Sequence, residues 1–210
     1  MQCLLFKMHP MTPQLRLIRH AVEIIQGGGV IVYPTDTSYA LGCHLGDKEA
    51  LERICGIRDL NEKHNFTLIC RDLSEISAYA SFDTPVYRLL KAHTPGPYTF
   101  ILRATREVPR RLMHPKRKTI GLRIPDHRIS QALLSELNEP MLTTTLILPE
   151  ENLPMVDPSE IAKRLGRQVD LVIDGGYCGL DVTTMVDLCE ETPKILRAGK
   201  GDPQPFSPVD

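Results

Sequence analysis

The sequence has no apolar run long enough to cross a membrane and almost no net charge. A membrane-spanning helix needs roughly 18 consecutive apolar residues, and no stretch approaches that length. The N-terminus lacks a signal-peptide layout, because Lys7, His9 and Pro10 interrupt its apolar residues early. The formal net charge of −1 gives no overall attraction to nucleic acid, so any such binding must use a local patch. We therefore expect a soluble, cytoplasmic protein.

Metal-site and phosphate-loop signatures are absent as well. The six cysteines are widely spaced and form no CxxC pair, which favours reduced structural thiols over disulfides or a zinc site. The seven histidines show no metal-ligand spacing. Neither GxGxxG nor GxxxxGK[ST] occurs, and no serine–histidine or cysteine–histidine nucleophile arrangement stands out. Function must therefore be sought in dispersed residues.

The residues that are present predict one mixed α/β domain. An apolar content of 42% is enough for a core, and the length fits a single domain over residues 1–210, with a core at about 14–199 and a loose tail at 200–210. Helices are predicted over 12–26 (with Thr12 as N-cap), from Asp47 to the charged loop at Arg58, and over 72–80, 85–92, 127–137 and 158–165. Strands are predicted over 28–33, 66–70, 98–102, 119–124, 142–148, 169–173, 185–188 and 194–196, with an edge strand at 3–6. Helices and strands alternate without strict βαβ regularity, which favours a mixed sheet.

Residues 28–43 are the most informative stretch. Their first half is a β-branched apolar run typical of a strand buried on both faces. Pro34 has no N–H and is expected to end the ladder. A polar cluster follows, from Thr35 through Asp36 and Thr37 to Tyr39. Such a cluster at a strand end is a usual ligand position in α/β sheets, although a well-capped turn explains it equally well.

Two further strands carry polar side chains where an apolar strand needs none. Arg123 lies inside the apolar run 120–124, where a buried guanidinium requires an anion or a carboxylate partner. Thr143 and Thr145 lie on one face of their strand, because successive side chains alternate, and could offer two hydroxyls to one ligand. Threonine is also simply a good strand former.

Cations concentrate in two connecting segments. The loop that begins at Arg58 holds Lys63 together with acidic residues, and we interpret it, taken alone, as a self-neutralised surface loop rather than a set of phosphate contacts. A basic connector between two strands is either a solvated loop or an anion surface for phosphates or an RNA backbone. The cations of this basic connector are Arg103, Arg106, Arg110, Arg111, Lys116, Arg117 and Lys118.

Four stretches together resemble one family. They are residues 34–42, 95–99, 119–125, and 183–187 with 197–199 after them. Their order and spacing are similar to those of the YrdC-like domain, and within it of the YciO branch, over residues 14–199. The resemblance implies a twisted, open mixed sheet flanked by helices, with a basic concave surface. It also implies synthesis of threonylcarbamoyl-AMP from L-threonine, bicarbonate and ATP with Mg²⁺, for tRNA modification, and members of the family are described as binding double-stranded RNA.

The resemblance also assigns roles to positions in this sequence. Thr35 and Thr37 would contact threonine, and Arg123 would pair with its carboxylate. Thr184 would hydrogen-bond the nucleotide or the carbamate. Phosphate and nucleotide contacts would come from Arg58, Lys63, Thr143, Thr145 and Arg197, and the set closest to the chemistry would be Thr37, Arg58, Arg123 and Thr145.

Two departures from the synthase pattern concern the nucleotide. The synthases carry Lys-x-Arg-Pro where this chain has residues 57–61, so that the second cation falls on Leu60, and Lys63 is the available substitute. They carry Ser-x-Asn where this chain has Thr145-Leu146-Ile147. Each lost contact to a charged phosphate costs roughly 1.5–3 kcal/mol. We therefore expect weak catalysis or a related substrate; a non-catalytic RNA-binding protein that uses the basic connector is the alternative.

Overall fold

A computed structural model describes residues 3–60, 64 and 66–207. The described residues form six helices and eleven strands. The helices are α1 (Leu15–Gln26), α2 (Lys48–Arg58), α3 (Leu73–Tyr79), α4 (Thr84–His93), α5 (Arg128–Leu137) and α6 (Pro158–Leu165). The strands are β1 (Leu4–Lys7), β2 (Ile31–Pro34), β3 (Tyr39–His44), β4 (Thr67–Ile69), β5 (Ala80–Ser81), β6 (Tyr98–Ala104), β7 (Thr119–Arg123), β8 (Met141–Thr145), β9 (Leu171–Asp174), β10 (Thr184–Asp187) and β11 (Lys194–Arg197).

All strands belong to one open, mixed sheet, as predicted. Its order is β1-β9-β2-β3-β8-β4-β7-β6-β10-β11, and β5 pairs with β6 beside this path. Parallel pairs such as β4 with β7 stand beside antiparallel pairs such as β3 with β8. None of the described helices has the length and apolar character that crossing a bilayer requires.

Each face of the sheet packs against its own helices. Alternate residues of β2 point to opposite faces: Val32 joins the larger core with α2, α3, α4 and α6, whereas Ile31 and Tyr33 join the smaller core with α1 and α5. On the smaller-core side α1 and α5 pack against each other and against β2, and α1 also against β3; this core extends to Ile69 of β4.

Strand β3 was not predicted, and its pairing explains why. β2 and β3 form a tight antiparallel hairpin in which Pro34 pairs with Tyr39, so Pro34 belongs to the ladder instead of ending it. A proline is tolerated there because the turn that follows needs no N–H from it. The hydroxyl-rich residues that looked like one loop are a four-residue turn, and residues 39–44 form the returning strand.

The predicted start of α1 and the predicted end of β8 were wrong. α1 starts at Leu15 with Gln14 as an N-cap that makes no side-chain bond, because the Thr12 hydroxyl lies 3.0 Å from His9 Nδ1 instead. β8 ends at Thr145, since the Leu146 and Ile147 amides turn to Tyr39 and Thr145 carbonyls. The predicted Asp47 cap is correct: its carboxylate accepts from the Ala50 amide at 2.8 Å.

The predicted loose tail is wrong for residues 200–207. Phe206 is 1% exposed and its ring centroid lies 4.7 Å from that of His93 and 5.6 Å from that of Tyr98. The tail returns to the sheet because this aromatic side chain fills a space in the larger core.

Candidate anion-binding site

One cavity gathers polar side chains from five strands and from the segments beside them. Its wall combines three arginines with a belt of hydroxyl groups, and no carboxylate lines it among the described residues. The lining polar residues are Thr35, Ser38, Arg58, His64, Thr67, Thr99, Arg123, Thr143, Thr144, Thr145, Thr183 and Arg197. Guanidinium and hydroxyl groups both donate hydrogen bonds, so the wall is complementary to an anion.

Gly121 creates the room for this cavity. It lies on β7 opposite Thr67 of β4. A Cβ at this position would stand 2.7 Å from the Thr67 hydroxyl oxygen and 3.1 Å from the Phe66 carbonyl oxygen. The glycine amide donates to that same carbonyl at 3.0 Å. The absence of a side chain therefore lets two neighbouring strands bring their hydroxyls together.

The turn between β2 and β3 is both well capped and part of the site. The Thr35 hydroxyl donates to the Ser38 carbonyl at 2.7 Å and accepts from the Thr37 amide at 3.2 Å. Thr37 Oγ1 lies 3.1 Å from the same hydroxyl. Thr35 lines the cavity. Thr37 is not among the lining residues, but its hydroxyl accepts a hydrogen bond from Arg123, which is one of them. The two interpretations of the polar cluster are therefore compatible.

Asp36 supplies the carboxylate that buried Arg123 requires. Arg123 Nη2 donates to Asp36 Oδ1 at 2.5 Å and to Thr37 Oγ1 at 3.1 Å. Arg123 is only 6% exposed. Its Nε and the second carboxylate oxygen of Asp36 are buried and have no partner among the described residues. A ligand that both accepts and donates hydrogen bonds would satisfy these two atoms.

Arg58 and Arg197 extend the positive charge across the cavity. Arg58 Nη1 donates to the Ile147 carbonyl, and its Nε is buried without a described partner. Arg197 donates through Nε and Nη2 to the Thr183 carbonyl and hydroxyl, at 3.1 and 3.0 Å. Burial lowers the pKa of both guanidinium groups, and the nearby Arg123 lowers the pKa of Arg197 further. No described anion compensates either charge within the lining, so an anionic ligand would stabilise both.

The threonines on the neighbouring strands are positioned by other hydroxyls. Thr143 Oγ1 lies 2.6 Å from the buried Tyr33 hydroxyl, and Thr99 Oγ1 lies 2.8 Å from Thr183 Oγ1. Thr145 is half-buried in the cavity wall. Thr143, Thr144 and Thr145 all line the cavity, so the alternation of side chains along β8 does not by itself select which hydroxyls belong to the site.

Of the residues proposed from the sequence, Thr184 is not brought into the cavity. Its hydroxyl donates to the Gly201 carbonyl at 2.5 Å and accepts from the Gly199 amide at 2.9 Å. The preceding Thr183 lines the cavity in its place, because adjacent side chains of a strand point to opposite faces. Lys63 lies outside the described residues. Thr67, Thr99 and Thr183 were missed, since only the pairing of the strands reveals their common face.

The basic connector lies away from the cavity. Thr99 and Arg123 line the cavity from β6 and β7, and the connector joins the other ends of these paired strands. Five residues of strand, at about 3.3 Å each, separate Thr99 from Ala104. All seven cations are exposed, and Arg117 forms a salt bridge of 2.6 Å with Asp187. The connector is therefore a separate surface.

An open mixed sheet with a cavity of arginines and hydroxyls defines an α/β domain that carries a candidate anion site. Comparison with known families makes the class specific. The model of the Sua5/YciO/YrdC family, described as "Telomere recombination", matches residues 23–199. This chain belongs to that family, and the resemblance noted in the sequence is confirmed.

The similar proteins include YciO proteins as well as proteins named threonylcarbamoyl-AMP synthase or Sua5. The protein YciO of Escherichia coli K12, described as uncharacterized, is 58% identical over 201 residues, 96% of this chain and 98% of its own. The crystal structure of E. coli YciO has a TM-score of 0.95, covering 98% of this chain and all of the other. A protein of Nitrosococcus oceani named threonylcarbamoyl-AMP synthase is 30% identical over 159 residues, 75% of this chain and 85% of its own. Sua5 of P. abyssi, solved in complex with L-threonine, has a TM-score of 0.85 at 24% identity, covering 93% of this chain and 57% of its own, and shows the shared fold.

Proposed function

We propose that the cavity binds L-threonine, or a closely related amino acid, together with ATP, and joins them through bicarbonate into threonylcarbamoyl-AMP. The observation that carries the proposal is the lining itself: three arginines converge on one hydroxyl-rich cavity, and Asp36, which lies outside the described lining, pairs with Arg123 alone. Its relative from N. oceani bears the name threonylcarbamoyl-AMP synthase, and Sua5 of P. abyssi was solved with L-threonine.

The amino acid belongs at Arg123 in this proposal. Its carboxylate would accept from the unpartnered Nε of Arg123, in a charge-assisted bond. The unpartnered oxygen of Asp36 would accept from a donor of the same ligand, such as its hydroxyl or its ammonium group. Thr35 and Thr37 hold the turn that presents both groups. A zwitterion is the kind of molecule that satisfies a buried anion and a buried cation at once.

The nucleotide belongs on the side of Arg58, Thr145 and Arg197. In the proposed reaction the threonine ammonium first loses a proton to solvent. The amine nitrogen then forms a bond to the bicarbonate carbon, and the bicarbonate hydroxyl leaves as water with one proton from the amine. A carbamate oxygen then bonds to the α-phosphorus while the bond to the bridging oxygen breaks, and pyrophosphate departs. Both reactants are anionic, so fixed cations and hydroxyls assist by charge stabilisation and alignment. The described residues form no cluster of metal ligands, and Mg²⁺ enters this proposal only as a companion of the ATP phosphates.

Two positions indicate that ATP is held less firmly than in the synthases. Leu60 stands where the resemblance puts a second cation, and it packs against the larger core. Ile147 stands where the resemblance puts an amide, and its side chain forms part of the cavity wall. We therefore expect slow turnover.

The test is to incubate the purified protein with ATP, Mg²⁺, bicarbonate and labelled L-threonine. We expect threonylcarbamoyl-AMP and pyrophosphate in equal amounts. Arg123→Ala should abolish the product and weaken threonine binding by about ten- to a hundredfold, the worth of a bond to a charged group. Arg88→Ala, which removes an exposed cation on α4, serves as the control. Absence of product together with absence of threonine and ATP binding would overturn the proposal.

A second function is favoured by the separate basic surface. We infer that the basic connector binds double-stranded RNA or tRNA through phosphates, since its seven cations are exposed and lie apart from the cavity. Such binding should weaken steeply as salt rises. It should survive Arg123→Ala, which removes the cavity's central cation only.

A further inference from the structure

His64 belongs to the cavity wall, although the charged loop that holds it was predicted, taken alone, to be a surface loop. It lies between α2 and β4, and its half-buried side chain lines the cavity with Arg58. Its ring meets the ring of Phe66 edge-on, with centroids 5.2 Å apart and an angle of 74° between the planes. Phe66 is 7% exposed. The imidazole is therefore supported on one side by the core and faces the cavity beside a cation.

The described charged groups around His64 are cationic, and residues 61–63 and 65 lie outside the described residues. The charged side chains that line the cavity are Arg58 from the end of α2, Arg123 from β7 and Arg197 from β11. Asp36 is engaged by Arg123, and no other carboxylate lines the described wall. Burial and the Arg58 guanidinium lower the pKa of His64 below its usual value. The ring is therefore neutral at pH 7 when the cavity holds no anion.

We propose that His64 is a further anion-binding residue, which contacts phosphate beside Arg58 and takes up a proton when the anion binds. It would supply the second positive charge that Leu60 cannot, since Leu60 is apolar and packs against the core. This inference rests on the proposed function, which places the nucleotide at this end of the cavity. It adds that nucleotide binding is coupled to the protonation of His64.

The sign of the coupling follows from linkage. An anion next to the ring favours its charged form, so the pKa of His64 rises on binding. Between the pKa of the free protein and that of the complex, binding consumes a proton. Affinity therefore increases as pH falls through this window and levels off below the lower pKa.

The direct test is an NMR titration of the histidine ring protons of the full chain, without and with sulfate, a dianion that does not titrate between pH 5 and 8. His64→Gln identifies the resonance. We expect the pKa of His64 to rise by about one pH unit or more with sulfate, and the ring signals of His20, exposed on α1, to show no response to sulfate. Equal pKa values for His64 in both conditions would overturn the inference.

Pyrophosphate binding supplies a second readout. His64→Gln should weaken it on the order of tenfold at pH 6, because a charged hydrogen bond is lost, and by less than about twofold at pH 8, where the ring is neutral in the free protein. His20→Gln should change neither value. An equal loss at both pH values would overturn the proton-linked role.

Failure of this inference is distinguishable from failure of the proposed function. A His64 pKa that responds to sulfate in a protein that makes no threonylcarbamoyl-AMP would support the anion site and contradict the synthase activity. Product formation with a His64 that ignores sulfate and pyrophosphate would do the reverse.

Discussion

Arg123 and Asp36, separated by 87 positions in the sequence, form a buried ion pair at 2.5 Å. Asp36→Ala would leave the Arg123 charge buried without its carboxylate. Such a loss costs about 3–5 kcal/mol, and we expect the free energy of unfolding to fall by about 3 kcal/mol. Urea denaturation measures it. Asp181→Ala removes an exposed carboxylate and should change stability by less than about 0.5 kcal/mol; equal effects of the two variants would contradict the pairing.

Ile147 offers a gain-of-function experiment. Its side chain lines the cavity next to Arg58, which bonds its carbonyl. Ile147→Asn would restore an amide donor and acceptor to the nucleotide end. We expect the rate of threonylcarbamoyl-AMP formation, or the affinity for ATP, to increase about tenfold, the worth of one bond to phosphate. Ile147→Leu keeps the apolar character and should change neither. If Ile147→Asn raises neither the rate nor the affinity for ATP above the values of Ile147→Leu, the missing amide is not what limits the activity.

Phe206 tests the packing of the C-terminal segment. Phe206→Ala would empty a site among His93, Tyr98 and Phe100, whose ring centroids lie within 5.9 Å. A buried Phe→Ala change costs about 3–5 kcal/mol. Thermal and urea unfolding should both show it, whereas Gln204→Ala, which is exposed, should have little effect. Unaltered stability of Phe206→Ala would mean that the tail does not belong to the core.

Buried thiols should make the protein less stable in alkali. Burial raises the pKa of Cys43 to about 12, while an exposed thiol titrates at about 8.5. Above pH 9 the unfolded chain therefore loses this proton and the folded chain keeps it, so the free energy of unfolding falls as pH rises towards 12. The contribution of one thiol is up to about 1.4 kcal/mol per pH unit.

Urea denaturation at pH 8 to 10.5 in reducing buffer measures this slope. Cys43→Ala should make the slope of the unfolding free energy against pH less steep, by up to about 1.4 kcal/mol per pH unit. The variant is expected to be less stable than the wild type at pH 8. Cys55→Ala, at a half-buried position on α2, should flatten the slope less. Identical slopes for the wild type and Cys43→Ala would contradict the protonated state of this thiol.

The basic connector predicts a salt-dependent RNA interaction. Arg110→Ala with Lys116→Ala would remove two exposed cations, and each lost phosphate contact should lower the slope of log affinity against log salt by roughly 0.9. Electrophoretic shifts with double-stranded RNA at several salt concentrations provide the slope. Arg88→Ala with Lys91→Ala on α4 removes equal charge elsewhere and should leave it unchanged. RNA binding that is absent, or lost equally in both variants, would contradict the surface.

The sequence predicted the parts of the fold that have strong local signals. The periodic helices and most strands were found, and Arg123 demanded an anionic partner because an arginine in an apolar strand cannot remain unpaired. The identity of that partner could not be predicted, since Asp36 is remote in the chain and only the hairpin between β2 and β3 brings it near. Pro34 and the polar turn concealed β3, because turn chemistry dominates such a short connection.

The remaining errors concern which face of a strand a side chain points to, and where loop residues lie. Thr183 and Thr184 differ by one position, and only the register of β10 against β6 decides which of them faces the cavity. His64 lies in a loop without periodicity, so no pattern in the sequence could place it beside Arg58. Sites built from neighbouring strands that are distant in the chain exceed what local patterns can determine.

Gly121 gives the cavity a peculiar genetic vulnerability. Scanning methods that shorten side chains to alanine pass over it or lengthen it unknowingly, since its contribution is a methyl group that is missing. The smallest possible enlargement at this position intrudes on Thr67 and the main chain of Phe66. A single-base change in the Gly121 codon therefore narrows the space beside Thr67, at a residue that otherwise contributes only main-chain hydrogen bonds.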